Sequence, residues 1–277
     1  MSATNINDLN RLCIHTITTK PWSIEEAAEK YARAGVKGIS VWRQYLEKRN
    51  VFKTGEMLRN YELEIISLVR GGFFCSTEAG KRMEAIDENK KVIDEAAALG
   101  APIVVLVCGA DPGQSMEVSR SQIKEAIEKL LPYAETNKVK LAIEPLHPMY
   151  ADTRSAVNTL EQANDMAESI RSEFCGVAVD VYHLWWDPDL ENQIRRCGKN
   201  ENLMAFHICD WMSPTVDLLN DRGLMGEGCI PVKKIRGWVE QAGFTGFNEI
   251  EIFSNRLWAE DQEEFLGKII EAYLARS

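Results

Sequence analysis

Four residues with metal-binding side chains end four successive β-branched runs in the second half of the chain. They are Glu144, Asp180, His207 and Glu251. Three carboxylates and one imidazole suit Mn²⁺ first, with Mg²⁺, Co²⁺ or Zn²⁺ as alternatives. For any one of these acids alone, a helix cap or a lysine partner is an equally good explanation. Together they predict one bound divalent metal ion, because carboxylates that close would otherwise repel one another.

The residues two positions before these candidates support the prediction. Side chains alternate faces along a strand, so residues i and i−2 point the same way. Ala142, Ala178 and Ala205 precede the first three candidates, and such small side chains leave room for a polar cluster. The fourth run has Glu249 at this place, so its two acids leave open which one binds.

Further polar residues near these run ends could contact a substrate. His183 follows Asp180 by three residues, His147 follows Glu144 by three, and Arg222 lies in a glycine-rich loop at 221–228. A histidine could bond a substrate hydroxyl, and an arginine could donate paired bonds to substrate oxygens. A backbone-bonded histidine and a surface arginine are the alternatives. Three tryptophans in the same loops suit sugar stacking, a subunit contact or plain loop packing: Trp185, Trp186 and Trp211.

Short apolar runs alternate with helical patterns along the whole chain. The predicted strands are Leu12–Ile17, Gly38–Val41, Glu64–Leu68, Ile103–Val107, Lys140–Ile143, Gly176–Val179, Ala205–Ile208 and Asn248–Ile252. Apolar residues three and four apart predict helices between them, one opening at Ser23 and others at Thr77–Leu99, Ser119–Asn137, Thr159–Ser169, Val232–Ala242 and Asp261–Ala275. Gly35, Gly100 and Gly243 suit helix C-termini.

Eight strands alternating with helices in 277 residues predict an α/β fold, a (β/α)₈ barrel forming a single domain over residues 1–277. In such a barrel the carboxyl ends of the strands form the mouth of the active site. A doubly wound open sheet is the competing architecture. It would be favoured by a glycine-rich phosphate loop after the first strand, but residues 18–22 read Thr-Thr-Lys-Pro-Trp.

Composition narrows the classes of partner. A formal net charge of −10 and the lack of a basic run argue against nucleic-acid binding. The longest apolar stretch, Ala101–Ala110, is about half of the roughly 20 residues that a membrane span needs. Seven cysteines without a CxxC pair fit a reducing compartment, and residues 1–9 lack the pattern of a secretion signal. We therefore expect a cytoplasmic protein that binds neither membranes nor nucleic acid.

Five segments carry a family resemblance: LAIEPLHP at 141–148, VAVDVYHLWWDP at 177–188, AFHICDW at 205–211, DRGLMGEG at 221–228 and NEIEIF at 248–253. In order and spacing they resemble the xylose isomerase-like barrel superfamily, in the branch of sugar phosphate isomerases/epimerases, ketose 3-epimerases, hydroxypyruvate isomerases and inosose dehydratases. The resemblance covers nearly the whole chain and is strongest from Lys140 onward. The related repair endonucleases use more histidines than the four present here.

The resemblance implies roles for the candidate residues. It makes Glu144, Asp180, His207 and Glu251 the metal ligands, with Glu251 rather than Glu249 in the last place. The two glutamates would also act as acid and base on opposite faces of the substrate. The residues matching His183 and Arg222 hold substrate oxygens in similar enzymes.

The expected reaction is proton transfer beside a carbonyl, which isomerises or epimerises a sugar through a metal-stabilised enediolate. Two alternatives stay open. Loss of a β-leaving group, protonated by His147 or His183, would make the protein a dehydratase or lyase on an oxo-sugar, oxo-glycoside or inosose. The second alternative is a non-catalytic sugar-binding subunit, alone or with a partner chain. The sequence also leaves open whether the protein is a homo-oligomer.

The sequence says less about the substrate itself. Neither the segment 70–72 (Arg-Gly-Gly) nor the loop at 226–228 has a diagnostic phosphate pattern. We therefore expect a small unphosphorylated sugar, polyol-derived ketose or cyclitol. The stretch Asp210–Asn220 is longer than in the compact epimerases and could reshape the pocket.

Overall fold

Eight parallel strands form a closed barrel in the computed structural model, which describes residues 5–277. The strands, called first to eighth in chain order, are Leu12–His15, Gly38–Trp42, Glu64–Gly72, Ile103–Val107, Lys140–Ile143, Cys175–Asp180, Leu203–Ile208 and Asn248–Ile250. Each strand pairs with its neighbours in sequence, and the eighth pairs with the first through Leu12 and Asn248. The predicted (β/α)₈ barrel is confirmed. Of the amino-terminal segment considered above, residues 1–4 lie outside the described residues.

One helix of ten or more residues follows each strand and covers the outside of the barrel, and short helices at Val181–Leu184 and Asn255–Trp258 precede two of them. The longer helices are Ile24–Arg33, Val51–Asn60, Ala79–Leu99, Met116–Thr136, Leu160–Ile170, Leu190–Lys199, Val232–Gln241 and Gln262–Arg276. The first has the expected start, because Ser23 Oγ accepts a bond from the Glu26 amide at 3.2 Å and Glu26 Oε2 accepts one from the Ser23 amide at 2.8 Å. Gly35, Gly100 and Gly243 have φ angles of +83°, +86° and +96°, as helix termini require.

Two apolar regions stabilise this architecture. Between the strands and the helices lies a continuous core that includes Ile14, Ile39, Val104 and Phe265. Inside the barrel is a small separate cluster of Val69, Val105, Ala142, Ala178 and Ala205. This inner cluster fills the barrel below its carboxyl-end mouth, so the mouth is left for polar side chains.

The structure departs from the sequence prediction most in three places, and the first and eighth strands each end two residues earlier than predicted. The third strand runs to Gly72 instead of Leu68, with a register shift against the fourth strand between Val69 and Gly71. The helices Val51–Asn60 and Leu190–Lys199 were not predicted. Gly55 stands inside the first, where a glycine ordinarily weakens a helix, but Asn50 caps its start by accepting a bond from the Lys53 amide at 3.0 Å.

All seven cysteines are free thiols. Within residues 5–277, no helix combines the length and apolar composition needed to cross a bilayer.

Candidate metal centre and substrate cavity

The four predicted ligand residues meet at the carboxyl-end mouth of the barrel. Glu144, Asp180, His207 and Glu251 are all buried, and each offers an oxygen or nitrogen atom within 4.8 Å of those of the other three. They come from the fifth to eighth strands, which are neighbours in the barrel. Because parallel strands end at the same edge, residues more than one hundred positions apart are brought into one cluster.

His207 joins this cluster directly to Glu144. Its Nδ1 lies 3.0 Å from Glu144 Oε1. Its other ring nitrogen, Nε2, is buried and has no hydrogen-bond partner among residues 5–277. A buried ring nitrogen beside several carboxylates is a suitable donor for a divalent cation, so the residues present fit such an ion.

The space for this cluster comes from the small residues beneath it. Ala142, Ala178 and Ala205 are fully buried in the inner barrel cluster. Each lies two residues before one of the candidate ligands, on the same face of its strand. This arrangement agrees with the alternation argument made from the sequence.

The eighth strand carries both Glu249 and Glu251, and the structure separates their surroundings. Glu249 Oε2 accepts a bond from Ser40 Oγ at 2.6 Å and lies 3.1 Å from His15 Nε2. It is therefore held by side chains of the first and second strands. Glu251 instead belongs to the four-residue cluster.

His15, at the end of the first strand, was not singled out as a site residue. Its Nε2 contacts Glu249 and its Nδ1 lies 3.1 Å from Glu251 Oε1. Its ring lies 4.7 Å from the ring of His207. His15 thus links the two glutamates. No sequence signal marked it, because the predicted first strand ran on to Ile17, whereas the observed strand ends at His15.

Arg222 contacts two of the candidate ligands directly. Its Nη1 donates to Asp180 Oδ2 at 3.1 Å and to Glu251 Oε2 at 2.9 Å. Its planar group lies over the ring of Tyr182 at 4.3 Å. Its Nη2 is 3.3 Å from His183 Nε2. Arg222 therefore bonds the candidate metal ligands themselves, a contact that the sequence did not predict.

The electrostatics of the cluster favour an additional positive charge. Burial raises the pKa of Asp180 to about 7. Burial alone would also raise the pKa of Glu251, but His15 and Arg222 outweigh it and hold that pKa well below its usual range. Burial alone would lower the pKa of His207, yet the neighbouring carboxylates raise it to about 10. Bound protons and Arg222 neutralise the negative charge of these carboxylates. A divalent cation can take the place of the protons.

A narrow cleft with a volume of about 30 Å³ leads to the cluster. Of the four candidate ligands, only Glu144 and Glu251 line it. Asp180 and His207 are fully buried behind them. The other lining residues are Trp42, Arg70, Val107, Leu146, Tyr150, Arg154, His183, Leu219, Arg222 and Phe253.

Two predicted substrate contacts, His183 and Arg222, line this cleft, and the third, His147, does not. Burial lowers the pKa of His183 well below its usual range, and Arg222 adds to the effect. His147 accepts a bond from the Met149 amide at 3.2 Å through Nδ1, and its ring lies 5.0 Å from that of Trp211. His147 therefore lies beside the cleft, among aromatic side chains of the neighbouring loops.

The tryptophans of these loops contact one another and their neighbours. Trp211 stacks on Tyr182 with ring centres 4.7 Å apart and lies 5.7 Å from Trp185. Trp186 lies 5.7 Å from His147 and donates to the His183 carbonyl at 2.8 Å. None of the three tryptophans lines the cleft, so loop packing explains them best.

The segment Asp210–Asn220 covers one side of the cleft through Leu219. It starts at a short antiparallel pairing of Asp210–Trp211 with Arg222–Gly223. Tyr150 donates its hydroxyl to the carbonyl of Leu218. Asp217 Oδ1 accepts bonds from the amides of Leu219 and Asn220 at 2.8 and 2.7 Å.

The barrel and its mouth define the class of protein. Residues 28–269 match the xylose isomerase-like TIM barrel family, and the chain belongs to that family.

Individual relatives extend this result. The inosose isomerase of Bacillus velezensis is 24% identical over 233 residues, which cover 80% of this chain and 78% of the relative. The crystal structure of protein SMc04130 from Sinorhizobium meliloti is 44% identical with a TM-score of 0.92, covering 96% of this chain and 98% of the other. The structure of the IOLI protein with a zinc atom is 20% identical with a TM-score of 0.83, covering 95% and 96%. The likeness to the IOLI structure concerns the fold alone.

Proposed function

We propose that this protein is a divalent-metal-dependent isomerase or epimerase that acts on a sugar or sugar-like substrate with adjacent carbonyl and hydroxyl groups. The observation that carries the proposal is the division of the four candidate ligands. Glu144 and Glu251 line the cleft, whereas Asp180 and His207 lie buried behind them. In this proposal Asp180 and His207 only hold the ion, whereas the carboxylates of Glu144 and Glu251 also contact a bound substrate.

The residues of this chain divide the work as follows. Glu144, Asp180, His207 and Glu251 hold the ion, for which Mn²⁺ is our first expectation, with Mg²⁺, Co²⁺ or Zn²⁺ as alternatives. When bound, such an ion supplies Lewis acidity at the substrate carbonyl and stabilises the negative charge of an enediolate. One cleft-lining glutamate removes the proton from the carbon beside the carbonyl. The other returns a proton to the neighbouring carbon or to the opposite face.

His183 and Arg222 orient the substrate in this proposal. Both are buried, and both line the cleft beside Glu251. The Arg222 guanidinium already bonds Glu251 at 2.9 Å, so a substrate oxygen bound by Arg222 would lie close to that carboxylate. The relationship to an inosose isomerase supports a small sugar or cyclitol ketone as the substrate class.

The first test is metal content, measured by elemental analysis on the wild type, His207→Ala and His147→Ala. We expect about one equivalent of a divalent metal in the wild type and in His147→Ala, which keeps all four ligands. We expect loss of that metal in His207→Ala. A wild type that takes up none of Mn²⁺, Co²⁺, Mg²⁺ or Zn²⁺ would contradict the proposal.

The second test follows the carbon-bound proton. Inososes and ketoses are incubated with the metal-loaded protein in D₂O, and exchange beside the carbonyl is followed by NMR. We expect exchange in the wild type and at least about a hundredfold slower exchange in Glu144→Gln, in line with the usual contribution of a general base. Elimination of water from the substrate would instead assign the protein to the dehydratases. Sugar binding without exchange would assign it to the binding subunits.

A further inference from the structure

Two arginines in the cleft lack a directly bonded carboxylate in the described part of the protein, although the charge of Glu144 acts to raise the pKa of Arg70. Arg70, within the third strand, and Arg154, in the loop after the fifth strand, both line the cleft that holds Glu144 and Glu251. Within residues 5–277, neither guanidinium forms an ion pair or a hydrogen bond. In contrast, the partly buried Arg43 and Arg196 each bond a glutamate through two nitrogens.

Aromatic rings hold both guanidinium groups in place without neutralising them. Arg70 lies over the ring of Phe73 at 4.4 Å, and Arg154 lies over the ring of Tyr150 at 5.6 Å. Such contacts fix a planar cation and leave its N–H groups free for another acceptor. The two arginines are also close enough that Arg154, after burial itself, lowers the pKa of Arg70. Two positively charged side chains are therefore held near each other in a protein of net charge −10, and their mutual repulsion costs some free energy.

The backbone around these arginines indicates which anion they suit. Phosphate sites usually add free backbone N–H groups to the side-chain donors. Here the Gly72 amide donates to Asn89 Oδ1 at 2.7 Å, and the Phe73 amide donates to the Val107 carbonyl at 2.8 Å. The Gly109 amide donates to the carbonyl of Arg154 at 2.8 Å. These three amides are already hydrogen-bonded and are not available to an anion. The donors that remain are the guanidinium groups, whose paired N–H groups match a carboxylate.

We propose that the substrate is a sugar acid, whose carboxylate binds Arg70 and Arg154 while its hydroxy-ketone end faces Glu144 and Glu251. This inference rests on the proposed function for the position of the hydroxy-ketone end at Glu144 and Glu251. It narrows the expectation of an unphosphorylated sugar, which was drawn from the absence of a phosphate pattern. A carboxylate needs no such pattern, because two side chains suffice to bind it.

The test compares ligands that differ at one group. D-fructose, D-fructuronate and D-fructose 6-phosphate share the hydroxy-ketone end and differ only in the substituent at carbon 6. Their dissociation constants are measured by isothermal titration calorimetry on the Mn²⁺-treated protein at low ionic strength. Any contribution of the metal to the hydroxy-ketone end cancels in the ratio of two constants. That ratio therefore reports the anion subsite even if the proposed reaction is wrong.

We expect D-fructuronate to bind about tenfold or more tightly than D-fructose, as charge-assisted bonds to arginine require. Arg70→Gln and Arg154→Gln should each reduce the ratio to within about twofold of one. The matched control is Arg195→Gln, which removes an exposed arginine paired with Glu191 on the outer helix Leu190–Lys199. This control should leave the ratio unchanged.

Equal affinities for D-fructose and D-fructuronate in the wild type would overturn the proposal. So would a ratio that both cleft variants leave intact, because the carboxylate would then bind elsewhere. If D-fructose 6-phosphate binds most tightly and this preference is lost in the same two variants, the anion that the two arginines bind is a phosphate and not a carboxylate. The two arginines lie on separate segments, and circular dichroism of each variant establishes that it is folded. The metal-content and proton-exchange tests above report failure of the proposed reaction separately.

Discussion

Nδ1 of His207 lies 3.0 Å from Oε1 of Glu144, and both residues are buried at the mouth of the barrel. The neighbouring carboxylates outweigh the effect of burial and raise the pKa of His207 to about 10. The metal-free protein therefore carries a proton on this histidine at neutral pH. A metal ion needs the unprotonated ring nitrogen, so metal and proton compete for one site.

Metal binding should release protons and strengthen as the pH rises. Since His207 is protonated below about pH 10, we expect affinity for Mn²⁺ to rise at least about tenfold per unit between pH 6 and 8. Burial raises the pKa of Asp180 to about 7, which adds a second proton at the acid end of this range. Calorimetry in buffers of different ionisation enthalpy measures the protons released. Binding enthalpies that do not depend on the buffer would contradict this prediction.

The alanine layer beneath the ligands should be intolerant of larger side chains. Ala142 is fully buried beside Val69 and Val105, two residues before Glu144. We expect Ala142→Leu to lower the free energy of unfolding by about 1–3 kcal/mol through overpacking and to reduce metal content. Urea unfolding and elemental analysis measure the two effects.

The control for this substitution is Ala97→Leu, on the exposed face of the helix Ala79–Leu99. It adds the same side chain where there is room, so its effect should stay within about 0.5 kcal/mol. An Ala142→Leu protein with full metal content would show that the layer does not set the position of Glu144.

Much of this site could be predicted because it follows from periodicity and barrel geometry. Glu144, Asp180 and His207 end strands with clear apolar patterns, and the fold brings such ends together. His15 and Tyr150 were missed, and Arg70 was considered only as part of a phosphate-binding segment at 70–72, for a different reason. The predicted third strand ended at Leu68, before Arg70, and the register shift that carries the strand on to Gly72 has no simple sequence pattern. Contacts such as that of His15 with Glu251 depend on closure of the barrel, which local sequence does not encode.

Asp210 should stabilise the loop beside the cleft, although Asp210 itself does not line the cleft. It is fully buried, and its carboxylate accepts bonds at 2.8 Å from the amides of Trp211, Gly226 and Ile230. We expect Asp210→Ala to lower the free energy of unfolding by about 3 kcal/mol, because three backbone donors lose a charged acceptor. Urea unfolding tests this, with the exposed Asp152→Ala as control. Equal stability of the two variants would refute the assignment.

Tyr150 should restrain the segment that covers the cleft. Its hydroxyl donates to the Leu218 carbonyl, and Leu219 lines the cleft. We expect Tyr150→Phe to increase the hydrogen-exchange rate of amides at 215–220 several-fold and to cost about 1 kcal/mol of stability. The aromatic ring under Arg154 is retained, so the preference for D-fructuronate should persist.

Tyr133→Phe is the matched control for this measurement. The Tyr133 hydroxyl donates to Asp94 at 2.6 Å on the outer helices, away from the cleft. Its removal should leave exchange at 215–220 unchanged. Unaltered exchange in Tyr150→Phe as well would mean that other contacts hold this segment.

The pairing of the eighth strand with the first has a consequence for biosynthesis. The segment that carries Glu251 leaves the ribosome after the other seven barrel strands, and its strand must pair with the barrel strand that emerged first. The earlier ligand residues lie on strands that emerge before this closure. We therefore expect ribosome-bound chains that stop short of residue 251 to take up little metal, so that insertion of the ion is a late event in the maturation of the protein.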